Sequence, residues 1–253
     1  MLVANLKASP QVPWAVPVMA IILWVMWRYA GGAWLPLSTQ QTRAHYRRAE
    51  PVPASVLRLG MLVGVLGVGA LVVLWVLLGH LVHVPGNPSA RYGSYPVVTV
   101  ACVIVMASVV GAVAEEVGFR GYMLSRLERA LPGWVAVIVA ALVIAPAHGV
   151  TQGFAAVTFG WYLLADLLFG SLALVTRSIL PGTAVHALGL MAFFAVVWPS
   201  DHLRHAAPLG QQGWDFWVEL GLCVMLTGGA IASFLRLVAS ARRAGPLPTG
   251  REM

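Results

Sequence analysis

The chain has 253 residues, 59% of them hydrophobic and only 10% charged, with a formal net charge of +7 and a mean hydropathy of +0.82. Soluble domains carry roughly 25% charged residues, so the composition excludes that class and points to an integral membrane protein. The apolar runs are long and do not alternate, which favours spanning helices over a barrel, and the positive charge is explained by where it falls along the chain rather than by nucleic acid.

Taken in order, the chain predicts seven spans, at about 14–30, 57–79, 97–117, 133–148, 154–176, 182–198 and 216–239. The first runs from Trp14 to Tyr29 with only Arg28 at its end, so it reads as a retained span and not as a cleaved leader. A loop over about 36–56 follows, carrying Arg43, Arg47 and Arg48, and Arg58 opens the second span. Within that span Gly64, Gly67 and Gly69 read as helix-packing positions. Pro85 to Pro96 and Trp198 to Trp214 are rich in Pro, Gly and Ser and read as irregular loops. The tail from Arg242 reads as disordered. Cys102 and Cys223 lie inside apolar runs, as buried small residues with no disulfide implied. With the N-terminus outside and the C-terminus inside, 13 of the 16 Lys and Arg residues fall on one side, and the positive-inside rule selects that orientation. The expectation is one all-α membrane domain over 1–253, a bundle of about seven transmembrane helices.

The third span is uncharged from Val97 to Ala114 and then meets Glu115-Glu116-Val117-Gly118-Phe119-Arg120-Gly121. Ionisable groups in a span cost roughly 2.5–3.5 kcal/mol on insertion scales and are there for function. Glu116 and Arg120 are four apart, acid first, the favourable order for a helical ion pair. Glu115 is turned away by about 100°, so one carboxylate is held and the other is available. The plain alternative is a capped helix end at the membrane surface with both acids solvated. His148, Asp166, His186 and Glu219 are the further ionisable groups in or beside later spans. A lone membrane histidine is usually an interhelical hydrogen-bond partner. Two of them with a Glu-Glu pair suit hydrolysis, in which a carboxylate takes a proton from water while imidazoles orient that water, bind a metal or donate to an oxyanion. Other intramembrane chemistries lack their signatures: there is no His-Glu-x-x-His, no Gly-x-Ser-Gly, no Gly-x-Gly-Asp and no phosphate-binding glycine loop.

The ordered set Glu-Glu-x-x-x-Arg, a His closing a short apolar span, and a second His in a later span resembles the CPBP family of CAAX-processing Rce1-type proteases and bacterial Abi membrane proteins. The resemblance covers about 97–198. Glu115, Glu116, Phe119, Arg120 and Gly121 match its first motif, His148 its second, and His186 in Pro181-Gly-Thr-Ala-Val-His186 its third. Ile144 stands where the second motif usually has Phe. Leu190 stands where the third usually ends in Asn or Asp, and Thr183 or Asp166 is the expected substitute near His186. The resemblance implies an intramembrane endopeptidase in a bacterial cytoplasmic membrane. Its substrate would be a membrane-associated protein or peptide, processed at a CAAX-type or sorting-signal-type site.

The implied roles are Glu115 as general base assisted by His148, His186 as oxyanion stabiliser, and Glu116 with Arg120 as support for the site's shape. The implied cofactor is either none or a divalent metal such as zinc, with Glu115, His148 and His186 as candidate ligands. The competing functions are a non-proteolytic scaffold or immunity protein on the same fold, and a small proton-coupled transporter. A simple topology puts Glu115 and His186 toward the inner side and His148 toward the outer end of its span. One site then requires the fourth helix to be short, tilted or deep-starting, or the third to continue past Arg120.

Overall fold

The structure, a computed structural model, describes residues 2–82, 92–152, 154–200 and 206–243, and no strand occurs among them. Two short helices, α1 (Leu2–Ala8) and α3 (Gln40–Arg47), accompany seven longer ones. These are α2 (Ala15–Ala30), α4 (Ala54–Leu81), α5 (Val97–Leu127), α6 (Gly133–Gln152), α7 (Ala156–Thr176), α8 (Leu180–Ser200) and α9 (Trp214–Arg243). Each expected span is found. Five of them, α4, α5, α7, α8 and α9, are long and apolar enough to cross a membrane, and α2 and α6 are shorter apolar helices.

Helix α4 is the central post, packed against α7, α8 and α9. Its glycines permit this. A Cβ on Gly64 would stand 2.7 Å from Val185 of α8, and one on Gly67 would stand 2.7 Å from Leu168 of α7. Small residues that let backbones approach closely are the usual adhesive between membrane helices. Core clusters form where Leu124, Val137, Ile144 and Ala173 join α5, α6 and α7, and where Trp75, Trp161 and Phe193 join α4, α7 and α8. Helix α9 lies along α4 with only 6% of its most apolar stretch buried, so the rest of that stretch is left to lipid.

Helix α3 lies inside the stretch expected to be loop. Its inward face is not an apolar stripe: it is Arg43 and Tyr46, both buried. Arg43 donates to the carbonyls of Tyr29 at 2.9 Å and Pro36 at 2.8 Å and also to that of Trp34. It thereby satisfies acceptors that the end of α2 and the following turn leave open. Arg48, in the left-handed conformation at φ 59°, then fastens three helices. It bonds Glu128 at 3.0 Å and the Ala173 carbonyl at 2.9 Å, and its own carbonyl accepts from the Ile179 N–H at 2.9 Å. Burial pushes the Arg48 guanidinium down from its ordinary range, against the pull of Glu128. The Tyr46 ring carries Arg126 and Arg129 at 4.7 and 4.8 Å, so this end of the bundle is strongly basic.

Three local expectations are corrected. Helix α5 does not stop near 117: it passes through a π-helical stretch, Glu116–Met123, and ends at Leu127. Helix α6 does not end at His148 but continues to Gln152 with Pro146 inside it, so the missing Pro146 N–H is tolerated there. Trp198 to Ser200 is helical rather than loop. Of the two expected loops, 83–91 and 201–205 lie outside the described residues, and so does the expected tail except Arg242 and Arg243, which close α9.

Candidate active site

The site is built where α5 leaves regular α geometry. π-Helical turns are rare and frequent at functional sites, because the wider turn re-aims side chains. Here the π stretch begins at Glu116 and includes Arg120. Glu116 is fully buried and Arg120 nearly so, which removes the reading of two solvated acids at a helix end. The Arg120 Nη1 lies 3.6 Å from Glu116 Oε1 and 4.0 Å from Glu115 Oε2. Its direct hydrogen bond goes to neither: Nη2 donates to Asp166 Oδ1, brought in by α7. One guanidinium therefore serves three carboxylates. Of these, Glu116 and Asp166 are 0% and 3% exposed, and Glu115 is 28% exposed. Glu115 is the carboxylate of the three that is left open to water.

His186 sits on α8 about one and a half turns after Pro181 opens the helix, and it faces the same point. Its Nδ1 is 3.1 Å from Glu116 Oε1 and its Nε2 is 3.7 Å from Glu115 Oε2, while its ring stacks on Phe169 at 4.4 Å. With Nδ1 paired to a buried carboxylate, the ring is oriented so that Nε2 is the edge offered to the site. Gly182 makes this approach possible, since a Cβ there would lie 2.9 Å from Glu116 Oε2. The expected substitutes for the missing polar group at 190 behave otherwise. Thr183 donates to the Ile179 carbonyl of its own helix at 2.9 Å, and Asp166 is engaged by Arg120. Neither makes a hydrogen bond to His186; the two glutamates are its partners.

His148 stacks face to face on Tyr162 of α7, with ring centroids 3.9 Å apart and an interplanar angle of 5°. Glu115, Arg120, His148, Asp166 and His186 line a single cavity of about 230 Å³. The extension of α5 past Arg120 is what allows residues expected at different depths to share it. Leu190, Val68, Leu71 and Ala165 form part of the wall, and most of the rest is aromatic, with Trp75, Trp161, Phe193 and Trp198 among its members. Glu219 is elsewhere, paired with His80 at 3.2 Å. Tyr162 is the residue that motif reasoning missed. Its signal was present as spacing: Tyr162, Asp166 and Phe169 stand at i, i+4 and i+7, one face of α7.

Zinc calls for three or four donors turned to one point. Among the described residues no three His, Cys, Asp or Glu side chains are grouped in that way. The Arg120 guanidinium stands within 4.0 Å of both glutamates, where it opposes a second cation. The candidate ligands Glu115, His148 and His186, as arranged, do not fit a zinc site, and no step below passes through a metal.

Residues 97–192 match the family described as type II CAAX prenyl endopeptidase Rce1-like. No curated protein and no solved structure matches the chain. The matched stretch opens on the first residue of α5 and closes within α8, and every ionisable residue of the cavity lies inside it.

Proposed function

We propose, with residues 97–192 as an Rce1-like domain, that the chain is an intramembrane endopeptidase hydrolysing a peptide bond of a membrane-associated protein or peptide. The observation that carries this reading is the one cavity lined by Glu115, His148 and His186. In it, Glu115 takes a proton from a water molecule as that water attacks the scissile carbonyl. His148 shares the water's orientation, and His186, as an imidazolium whose Nδ1–H is held by the Glu116 carboxylate, donates its Nε2–H to the developing oxyanion. Glu116, Arg120 and Asp166 touch no substrate atom in this scheme. They fix the His186 ring and balance the buried charge. The aromatic wall accepts an apolar group beside the scissile bond, in keeping with CAAX-type or sorting-signal-type segments. The Arg-rich end of the bundle faces the cytoplasm, with the N-terminus outside, in a bacterial cytoplasmic membrane.

One observation favours a second reading, a scaffold or immunity protein: the cavity wall carries apolar Leu190 beside His186. The two readings separate in proteoliposomes given a quenched CAAX peptide bearing S-farnesylcysteine. Glu115→Gln is expected to lower cleavage by about 10²–10⁴-fold, and His186→Ala to do likewise. Wild-type rates in both variants would sink the protease reading.

A further inference from the structure

An amide carbonyl attacked by water places a full negative charge on its oxygen, and a dry site must meet that charge with donors already in place. The donors around this cavity are few and mostly spent. Arg120 is held by Asp166, Glu116 and Glu115. The Trp161 indole N–H bonds the Leu71 carbonyl at 2.8 Å. Trp75 and Trp198 belong to the aromatic wall, packed on Phe193. His186 commits Nδ1 to Glu116, which leaves one ring edge, and Leu190 beside it has no polar atom. Tyr162 is different. Its ring is fixed by the stack on His148, it lines the cavity, and its hydroxyl makes no hydrogen bond to any described residue.

We infer that Tyr162 is the second oxyanion donor of this site, a catalytic residue acting with His186 and occupying the role for which Leu190 offers nothing. The step balances without a co-reactant. The water oxygen bonds to the carbonyl carbon and its proton passes to the Glu115 carboxylate. The carbonyl π pair moves onto oxygen, where the Tyr162 O–H and the His186 Nε2 edge hydrogen-bond it. Collapse of the intermediate breaks the C–N bond, and the leaving amine takes the proton held by Glu115. A phenol suits this place because it donates while remaining neutral, and the three carboxylates already outnumber Arg120 and His186. The inference rests on the protease reading above.

The test uses the full-length protein in proteoliposomes with the same S-farnesylcysteine CAAX peptide. Tyr162→Phe keeps the ring and its stack on His148 and removes only the hydroxyl. It is expected to lower kcat by about 10²–10³-fold, the loss typical of one oxyanion donor, with KM changed less than about threefold. Leu190→Asn, placed in the Tyr162→Phe background, is expected to return at least about tenfold of the lost kcat, since it adds a donor to the same cavity. Glu115→Gln serves as the inactive reference. If Glu115→Gln is dead while Tyr162→Phe stays within about twofold of wild type, or loses only in KM, the role given to Tyr162 is wrong and the protease reading stands. A wild type that cleaves no faster than Glu115→Gln overturns both.

Discussion

Arg120 stands among three carboxylates in the interior of the bundle. Its planar fork presents five N–H donors and reaches Asp166, Glu116 and Glu115 together, which the single point charge of a lysine cannot do. Removing one member of a buried ion pair leaves an uncompensated charge, at about 3–5 kcal/mol. Arg120→Leu is therefore expected to abolish stable folded protein, read as loss of a cooperative thermal transition in detergent. Asp166→Asn, which leaves two carboxylates for the guanidinium, is expected to cost less and to keep that transition. Equal loss in the two variants would contradict the central place given to Arg120. The sequence made half of this arrangement legible. The i,i+4 spacing of Glu116 and Arg120 is a local fact, and the pair does lie within 3.6 Å. Asp166 is 46 residues away, and nothing in local spacing says that α7 turns it toward Arg120 rather than toward His186.

At the scale of elements, the π stretch of α5 and the short helix α3 depend on each other. The chain passes from α3 so close to α5 that a Cβ on Gly121 would stand 2.9 Å from the Tyr46 carbonyl and 3.0 Å from that of Arg47. These are backbone atoms and cannot turn aside. Gly121→Ala is expected to destabilise by about 1–3 kcal/mol through overpacking, with cleavage falling as Glu116 and Arg120 shift. Gly160→Ala provides the contrast: that Cβ meets nothing within 4 Å on α7, so it is expected to be neutral or to stabilise by about 0.5–1 kcal/mol. Thermal unfolding midpoints of the two variants, moving in the same direction by the same amount, would refute this packing account. The seven long helices could be read from the chain because each is an unbroken apolar run. Helix α3 could not, because the groups that pin it are an arginine binding carbonyls and a tyrosine under two more arginines. The continuation of α6 past His148 was hidden by Pro146, a residue type that kinks or ends helices and is accommodated inside this one.

For the whole molecule, the orientation proposed above puts the α2–α3 turn in the cytoplasm and the α8–α9 connection outside. With Cys102 and Cys223 replaced by Ala, Ser38→Cys is expected to react with a membrane-impermeant maleimide only in inverted vesicles, and Gly210→Cys only in intact spheroplasts. Ser38 is exposed, and a side chain at 210 enters open space. The reverse pattern would turn the molecule over. Chain order also sets a schedule for the charged cluster. A ribosome delivers α5, with Glu115, Glu116 and Arg120, to the bilayer before Asp166 and His186 have been synthesised. During that interval the only counter-charge Arg120 can reach within these spans is on its own helix. Glu115 and Glu116 are thus the carboxylates that chain order makes available to Arg120 while α5 is inserted, and Asp166 joins them when α7 arrives. His186 becomes available to Glu116 only as α8 follows, so the cavity that Glu115 lines is complete only once the last of these helices is in the membrane.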